Sequence, residues 1–218
     1  MNELNLRAIE FRSWKARQQD GLFDIYFGAL MLAIAISALT EALGATSLVR
    51  LLTLVVLQFS AAGGLALAKR RYATPRVGAV KFGAARTRRS RASVIALAVC
   101  VLATVALVVL TAVGRSPVDP FHRLGRFALP TVVTLVVGIP LTALAIFLQF
   151  ERLLLHAALF AAAAFALAAS GESFMAPIPG AIAFGVSGSI SVGIGVVLFG
   201  RFVRRVPQPD QEVVNHGG

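Results

Sequence analysis

Two aspartates at the start of a long apolar run are the first side chains in this sequence that suggest chemistry. Asp20 and Asp24 lie where that run begins. A carboxylate beside hydrocarbon needs a cationic partner or must take up a proton. Arg76 and Lys81, in a basic stretch further along the chain, are the nearest cations by topology. We therefore expect an ion-pair cluster that joins these acids to Arg76 or Lys81. Solvated acids, or a proton- or ion-coupling role for Asp24, are the alternatives.

A histidine inside a later apolar run is the next candidate. His156 follows Arg152 by four residues and lies one helical turn into the run. Ionisable groups within apolar spans are functional candidates by default, so a proton relay is one interpretation of His156. An interfacial or hydrogen-bonded histidine without such a role is the other.

No motif of hydrolytic, metal or nucleotide chemistry accompanies these residues. The sequence contains no Ser–His–Asp arrangement, no His-Glu-x-x-His and no phosphate-binding glycine loop. Cys100 is the single cysteine, which excludes an intrachain disulfide and a multi-cysteine metal site. The sequence therefore predicts no enzyme, with no catalytic residue, no metal site and no cofactor.

Composition assigns the chain to the membrane proteins. Of its 218 residues 57% are hydrophobic and 14% are charged, and the mean hydropathy is +0.80. Soluble domains carry about 25% charge, so a soluble globular protein is excluded. The net charge of +11 comes from cations that gather at the ends of apolar runs, without an aromatic-interleaved surface that would bind nucleic acid.

Apolar runs long enough to cross a bilayer must position the candidate residues. About 20 helical residues, rising about 1.5 Å each, cover a hydrocarbon core of about 30 Å. The predicted spans are residues 22–43, 48–68, 93–113, 130–149, 153–169 and 180–199. We therefore predict an all-α, six-helix transmembrane bundle within a single domain, residues 1–206. Residues 1–19 fit either an N-terminal interfacial helix or a solvated tail, and residues 207–218 a disordered tail.

The basic stretch between the second and third runs sets the predicted orientation. Residues 69–91 contain nine Lys or Arg and no acid. Each cation costs about 2.5 to 3.5 kcal/mol at the bilayer centre, so the loop, residues 69–92, must lie in water. The bias of Lys and Arg places it, and both termini, in the cytoplasm. The cations serve as a topology determinant, and binding of anionic lipid is the alternative.

The last apolar run carries small residues at every fourth position, which form two stripes on a helix. Members of these stripes are Gly185, Ser187, Ser189, Ser191, Gly193 and Gly195. Small residues let helix backbones approach closely. Packing within one subunit, for example against the alanine-rich fifth run, is one interpretation. A homo-oligomer interface and a pathway lined by hydroxyl groups are the others. In the fourth run, Pro140 predicts a kink.

Two short segments carry a resemblance to a known family. They are Asp20-Gly21-Leu22-x-Asp24-Ile25-x-x-Gly28 and Tyr72-x-x-Pro75-Arg76-x-Gly78-x-Val80-Lys81-Phe82. The chain resembles small, uncharacterised integral proteins of the bacterial inner membrane, in which D-G-L-x-(D/E)-I opens the first span and a Y-P-R-x-G-Y-V-K-like segment follows the second. Here Ala73 and Thr74 separate Tyr72 from Pro75, and Ala79 replaces an aromatic residue. The resemblance covers about the first 85 residues and implies the same topology, without an activity.

Pro75 also predicts the local backbone. Proline disfavours the helical conformation for the residue before it, here Thr74. We therefore expect the second helix not to continue smoothly, and residues 72–82 to form an extended or turn segment.

Two functions fit these features. The first is a non-enzymatic structural or regulatory membrane protein whose basic loop engages anionic lipid or a protein partner. The second is a small oligomeric transporter that uses the Pro140 kink and the small-residue helix. Polar groups at mid-membrane depth are few, which disfavours a strongly charged substrate. An aqueous cavity that reached residues 187–191 would favour transport, and a filled bundle would favour the first function.

Overall fold

A computed structural model describes residues 20–77, 95, 119–148, 150–172 and 176–206. This part of the chain is helical and contains no strand. Five of its helices are long and apolar enough to cross a membrane. The prediction of an all-α membrane protein is confirmed to that extent. The predicted third span, the N-terminal interfacial helix and the tail at 207–218 lie outside the described residues, except for the isolated Ile95.

The helices agree with five of the six predicted spans. They are α1 (Leu22–Ala42), α2 (Ser47–Ala68), α3 (Ala128–Leu148), α4 (Arg152–Ala169) and α5 (Pro177–Arg205). A 3₁₀ segment, Asp119–Phe127, leads into α3. Helix α5 exceeds its predicted span at both ends. It begins earlier because Pro177 is favourable in the first turn of a helix, and it ends later because its last turns, with Arg204 and Arg205, continue into the polar region. Helix α3 continues through Pro140, and the kink there stays a prediction.

Helix α2 ends differently from the prediction. Thr74 is helical, with φ −61° and ψ −44°, and the chain passes through a π-helical turn, Lys69–Ala73, into a further helical turn that reaches Val77. The amide and the hydroxyl of Thr74 both donate to the carbonyl of Lys69. The expectation of an extended Thr74 was wrong, because this i→i+5 turn satisfies the backbone ahead of Pro75, which has no N–H to donate.

Helix α1 organises the packing. It contacts α2, α4 and α5, while α3 packs mainly against α4. One core cluster, which includes Met31, Phe160 and Phe184, joins α1, α3, α4 and α5. A second cluster surrounds Phe27 and Phe150 nearer the start of α1. Helix α2 is peripheral and has no buried residue.

Glycines bring α1 and α5 into close antiparallel contact. Gly21 meets Gly195, and Gly28 meets Gly188. A Cβ atom at Gly195 would lie 2.6 Å from the amide nitrogen of Ile25, and one at Gly28 would lie 2.7 Å from that of Val192. At both contacts a side chain would collide with backbone, so the close approach requires glycine.

The two predicted stripes of small residues therefore have different surroundings. Ser187, Ser191 and Gly195 are buried in the bundle. Ser189 and Gly193 are exposed on its outside, and Gly185 is half-buried, where a Cβ would be in ordinary contact with that of Ala35. The inward stripe packs within the subunit, chiefly against α1 and less against the alanine-rich α4, which the sequence analysis gave as an example.

Candidate functional site

The polar contacts concentrate at one end of the bundle, which we call the basic end. Here α1 and α4 begin, α2 passes into its π-helical turn, and α5 approaches its last turns. Lys69 contacts Asp20, Arg152 contacts Asp24, and Phe199 lies against Gly21. The opposite end holds the α1–α2 turn, where Glu41 pairs with Arg50 and the hydroxyl of Ser37 donates to the carbonyl of Arg50.

Asp20 anchors the start of α1. Its Oδ1 accepts a hydrogen bond from the amide of Leu22 at 3.0 Å, and its Oδ2 lies 3.2 Å from Lys69 Nζ. The ammonium group of Lys69 also lies 3.9 Å from the centroid of the Phe23 ring. Asp20 is fully buried. Burial raises the pKa of the Asp20 carboxyl, and the charge of Lys69 and the Leu22 N–H offset part of that rise.

Asp24 lies deeper by about one turn and connects two helices. Arg152 Nη1 donates to its Oδ2 at 3.1 Å, and Nε2 of His156 lies 2.8 Å from its Oδ1. Arg152 and His156 are four residues apart on α4, so they share one helix face and reach the same carboxylate. Both carboxylate oxygens are therefore satisfied, although the Asp24 side chain is fully buried.

His156 extends the network to a third helix. Its Nδ1 lies 3.1 Å from Ser191 Oγ on α5. The ring of Phe27 stacks on the imidazole, with 5.6 Å between ring centroids and 19° between ring planes. Asp24, His156 and Ser191 each have 0% of their surface exposed. Three side chains from three helices thus form one hydrogen-bonded chain in the interior.

This arrangement corrects the sequence analysis, which found no Ser–His–Asp constellation. Residues 24, 156 and 191 are far apart in the sequence, and only the packing of α1, α4 and α5 brings them together. A serine hydroxyl bonded to a carboxylate-oriented histidine is the arrangement that activates nucleophiles in hydrolases. Ser191 and His156 are fully enclosed, however, so no substrate can approach the hydroxyl in this arrangement. The geometry instead joins α1, α4 and α5 through one set of side-chain hydrogen bonds.

The acids have cationic partners other than those we expected. Asp20 pairs with Lys69 and Asp24 with Arg152, whereas the guanidinium of Arg76 donates to the carbonyl of Tyr72 at 2.9 Å. Lys81 lies outside the described residues. In the sequence, Arg152 stood out only as a neighbour of His156. Their four-residue spacing was the signal that could have identified Arg152 as a ligand of a shared carboxylate.

No protein-family model, curated protein or solved structure matches this chain. The resemblance of its two motifs to a bacterial membrane family therefore stays a prediction. Within the described ranges, no group of three or more His, Cys, Asp or Glu residues could hold a metal ion. The function must be inferred from the arrangement of side chains.

Proposed function

We propose that this chain is a non-enzymatic, multi-pass membrane protein of structural or regulatory type, whose basic end engages anionic phospholipid. The observation that carries the proposal is a group of exposed arginines contributed by two separate elements. Its members are Arg70, Arg71, Arg201, Arg204 and Arg205. The first two lie on the π-helical turn after α2, and the other three lie on the last two turns of α5.

Contacts between the π-helical turn and α5 support a single surface. The rings of Tyr72 and Phe199 meet edge to face, with 5.9 Å between centroids. Beside them Ala73 and Phe202 are buried with Leu22 in an apolar cluster. Tyr72 itself is 41% exposed. An exposed tyrosine among arginines is typical of the headgroup level of a bilayer, where its ring is partly apolar and its hydroxyl is wet.

The burial and mutual bonding of the polar groups in the described helices favour this function over transport. The two serines that would line a central pathway, Ser187 and Ser191, are buried, and Ser189 faces outward. The remaining deep polar groups, Asp24 and His156, are bonded to one another and to Arg152. Polar groups that satisfy each other in this way have little capacity left for a substrate.

In this proposal the basic end faces the cytoplasm of the bacterial inner membrane, and both termini lie on that side. The excess of Lys and Arg at this end supports that orientation. The predicted span at residues 93–113 supplies the sixth crossing, since the chain after α2 must return to the opposite end before α3 begins there.

Lipid binding can be tested with a matched pair of variants. One carries Arg204→Gln and Arg205→Gln at the basic end, and the other carries Arg123→Gln and Arg126→Gln, exposed arginines at the opposite end. A cation near an anionic leaflet contributes about 1 kcal/mol, so the first pair should weaken binding of phosphatidylglycerol by up to about 30-fold. Native mass spectrometry of the purified full-length protein, with phosphatidylcholine as reference lipid, measures this. Equal losses in both variants, or no preference for the anionic lipid, would contradict the proposal.

A second function, a small oligomeric transporter, is favoured by one observation. Asp24 and His156 are ionisable and lie inside helices apolar enough to cross a membrane, where such groups often serve ion or proton pathways. Its test is a proton flux in proteoliposomes that stops in the variant Asp24→Asn. The exposed stripe with Ser189 and Gly193 is the surface on which such an oligomer would assemble.

A further inference from the structure

The exposed arginines of the basic end fall into two groups. Arg70 and Arg71 lie on the π-helical turn after α2. Arg201, Arg204 and Arg205 lie on the last two turns of α5. Helices α2 and α5 both run toward this end, because each is antiparallel to α1. The two elements therefore present their cations on the same side of the bundle.

The ring contact between Tyr72 and Phe199 sets the two groups at one level. Arg71 directly precedes Tyr72, and Arg201 follows Phe199 by two residues. A helical residue rises about 1.5 Å, so both groups begin within about 3 Å of the ring contact along the bundle axis. The buried apolar cluster beside the rings joins the same two elements to the start of α1. The relative position of the two backbone segments is therefore fixed by packing.

The charges of this surface are not balanced within the described bundle. Asp20 is buried and pairs with Lys69. Asp24 is buried and pairs with Arg152. Among the described residues, no acid forms an ion pair with any of the five arginines. Glu151, in the turn between α3 and α4, is the one exposed acid described at this end. Five like charges on a common surface repel each other, and anions from outside the protein lower that repulsion.

We propose that this surface binds one phospholipid that carries two phosphates, with one phosphate held by the π-helical turn and the other by the end of α5. The inference rests on the proposed function, and it names the class of lipid that the surface prefers. Guanidinium groups bind phosphate oxygens through two parallel N–H···O hydrogen bonds. Basic pockets between helices at the cytoplasmic side of a membrane bind headgroups that carry more than one phosphate.

The division of the arginines between two elements favours two joined phosphates over two separate lipids. Each single-phosphate lipid that is held in place loses its freedom to exchange with other lipids, so filling both groups incurs this cost twice. When both phosphates belong to one molecule, binding of the second is intramolecular, and the affinity rises without a new kind of contact. This gain requires both arginine groups at a fixed spacing, which the packed junction provides.

The test compares diphosphatidylglycerol, which has two phosphates, with phosphatidylglycerol, which has one. Native mass spectrometry of the purified full-length protein measures both affinities, with phosphatidylcholine as the reference lipid. Two phosphates that act independently would make one molecule bind only about twice as tightly, by statistics alone. We expect diphosphatidylglycerol to bind at least about tenfold more tightly, because its second phosphate binds intramolecularly.

Two double variants show whether both groups take part. Arg70→Gln with Arg71→Gln removes the first group, and Arg204→Gln with Arg205→Gln removes most of the second. Each variant by itself should reduce the preference for diphosphatidylglycerol to within about threefold, since a lipid held at one group gains little from its second phosphate. The opposite-end double variant of the first lipid test is the matched control and should keep the full preference.

The outcomes separate this inference from the proposed function. A preference of about twofold or less in wild type would overturn the inference. A preference that survives in either basic-end variant would also overturn it, because the four acyl chains of diphosphatidylglycerol would then account for the tighter binding. In both cases, tighter binding of phosphatidylglycerol than of phosphatidylcholine would leave the proposed function standing. If neither anionic lipid bound more tightly than phosphatidylcholine, the proposed function itself would fail.

Discussion

Asp24 is the residue on which the buried network depends. Its carboxylate bonds both the guanidinium of Arg152 and the imidazole of His156, and among the described residues no other acid joins the network. Substitution Asp24→Ala would leave Arg152 partly buried without its partner and His156 without its acceptor. Removing one member of a buried ion pair costs about 3 to 5 kcal/mol. We expect a loss of that order in the free energy of unfolding, measured by denaturant titration in detergent.

The pair of Glu41 and Arg50 provides the control for this substitution. Its side chains are 40% and 24% exposed, and exposed ion pairs contribute about 0 to 1 kcal/mol. Glu41→Gln should therefore have a small effect. If Asp24→Ala and Glu41→Gln lowered the stability equally, the buried network would not contribute as its geometry indicates.

Ionisation of Asp20 should make the stability of the folded protein depend on pH in the direction opposite to that of the usual carboxylate. Burial raises its folded-state pKa above the ordinary 3.8. The ionised carboxylate is then the disfavoured form in the folded protein, so its cost is absent below about pH 3.8, grows as the pH rises from there to the folded-state pKa, and is fully present above that pKa. Asp20→Asn keeps an oxygen that can cap Leu22 but removes the titration.

Melting temperatures at about pH 7 and about pH 4.5 should therefore show wild type gaining stability relative to Asp20→Asn on acidification. A relative loss in wild type would mean that Lys69 stabilises the carboxylate more than burial destabilises it.

For individual residues, the sequence indicated which side chains need partners but not which partners they have. Apolar surroundings were enough to predict that Asp20 and Asp24 require cations. Arg152 is 128 residues from Asp24 and Ser191 is 35 from His156, so the pairing depends on how the helices rotate against each other. Arg76 was expected as a partner because it is one of the nearest cations by topology, whereas its guanidinium donates to the carbonyl of Tyr72.

Among the helices, the contact between α1 and α5 provides a prediction with an internal control. In Gly195→Ala the new Cβ would lie 2.6 Å from the backbone of Ile25, so the helices must separate. Overpacking of this kind costs about 1 to 3 kcal/mol. Gly193→Ala, two residues away in the same helix, has nothing within 4 Å of its Cβ and should be neutral or slightly stabilising.

Thermal unfolding of the two variants in the same detergent measures the difference. Equal melting temperatures would show that the close approach of α1 and α5 is absent in solution. The sequence predicted small residues on this helix but not which stripe is buried, since both stripes have the same four-residue spacing. The glycines of α1, Gly21 and Gly28, are spaced by seven residues like Gly188 and Gly195, and this shared spacing was the missed signal.

For the molecule as a whole, the arrangement of charges predicts which side of the membrane each end of the bundle faces, and labelling of introduced cysteines can test this. A cysteine at Arg71, at the basic end, and one at Glu172, after α4, should lie on opposite faces of the membrane. Each would be introduced separately into a Cys100→Ser background, which removes the only native thiol. A membrane-impermeant maleimide applied to intact cells should modify the Glu172→Cys protein alone. Modification of both proteins from one side would contradict the alternating topology.

The all-α membrane fold class and most of the helix bounds were predictable, because the thickness of the bilayer sets the length of an apolar helix more strongly than local helix propensity does. Four of the five helices begin and end within a few residues of the predicted spans, and α5 is longer than predicted at both ends. The interior could not be predicted in the same way. Nothing in the hydropathy distinguishes peripheral α2, which has no buried residue, from central α1.

The two glycine contacts also restrict how this bundle can move. Val192 lies between Gly188 and Gly195 on α5, and its side chain presses against the backbone of α1 at Gly28. Moving α5 along its own axis would push the branched side chain of Val192 into the backbone of α1 near Gly28. Such a movement is therefore sterically blocked. Helices α1 and α5 should therefore move as one unit. Helix α4 is fixed to this pair as well, by the hydrogen bonds of Arg152 and His156 and by the buried side chains around Phe160.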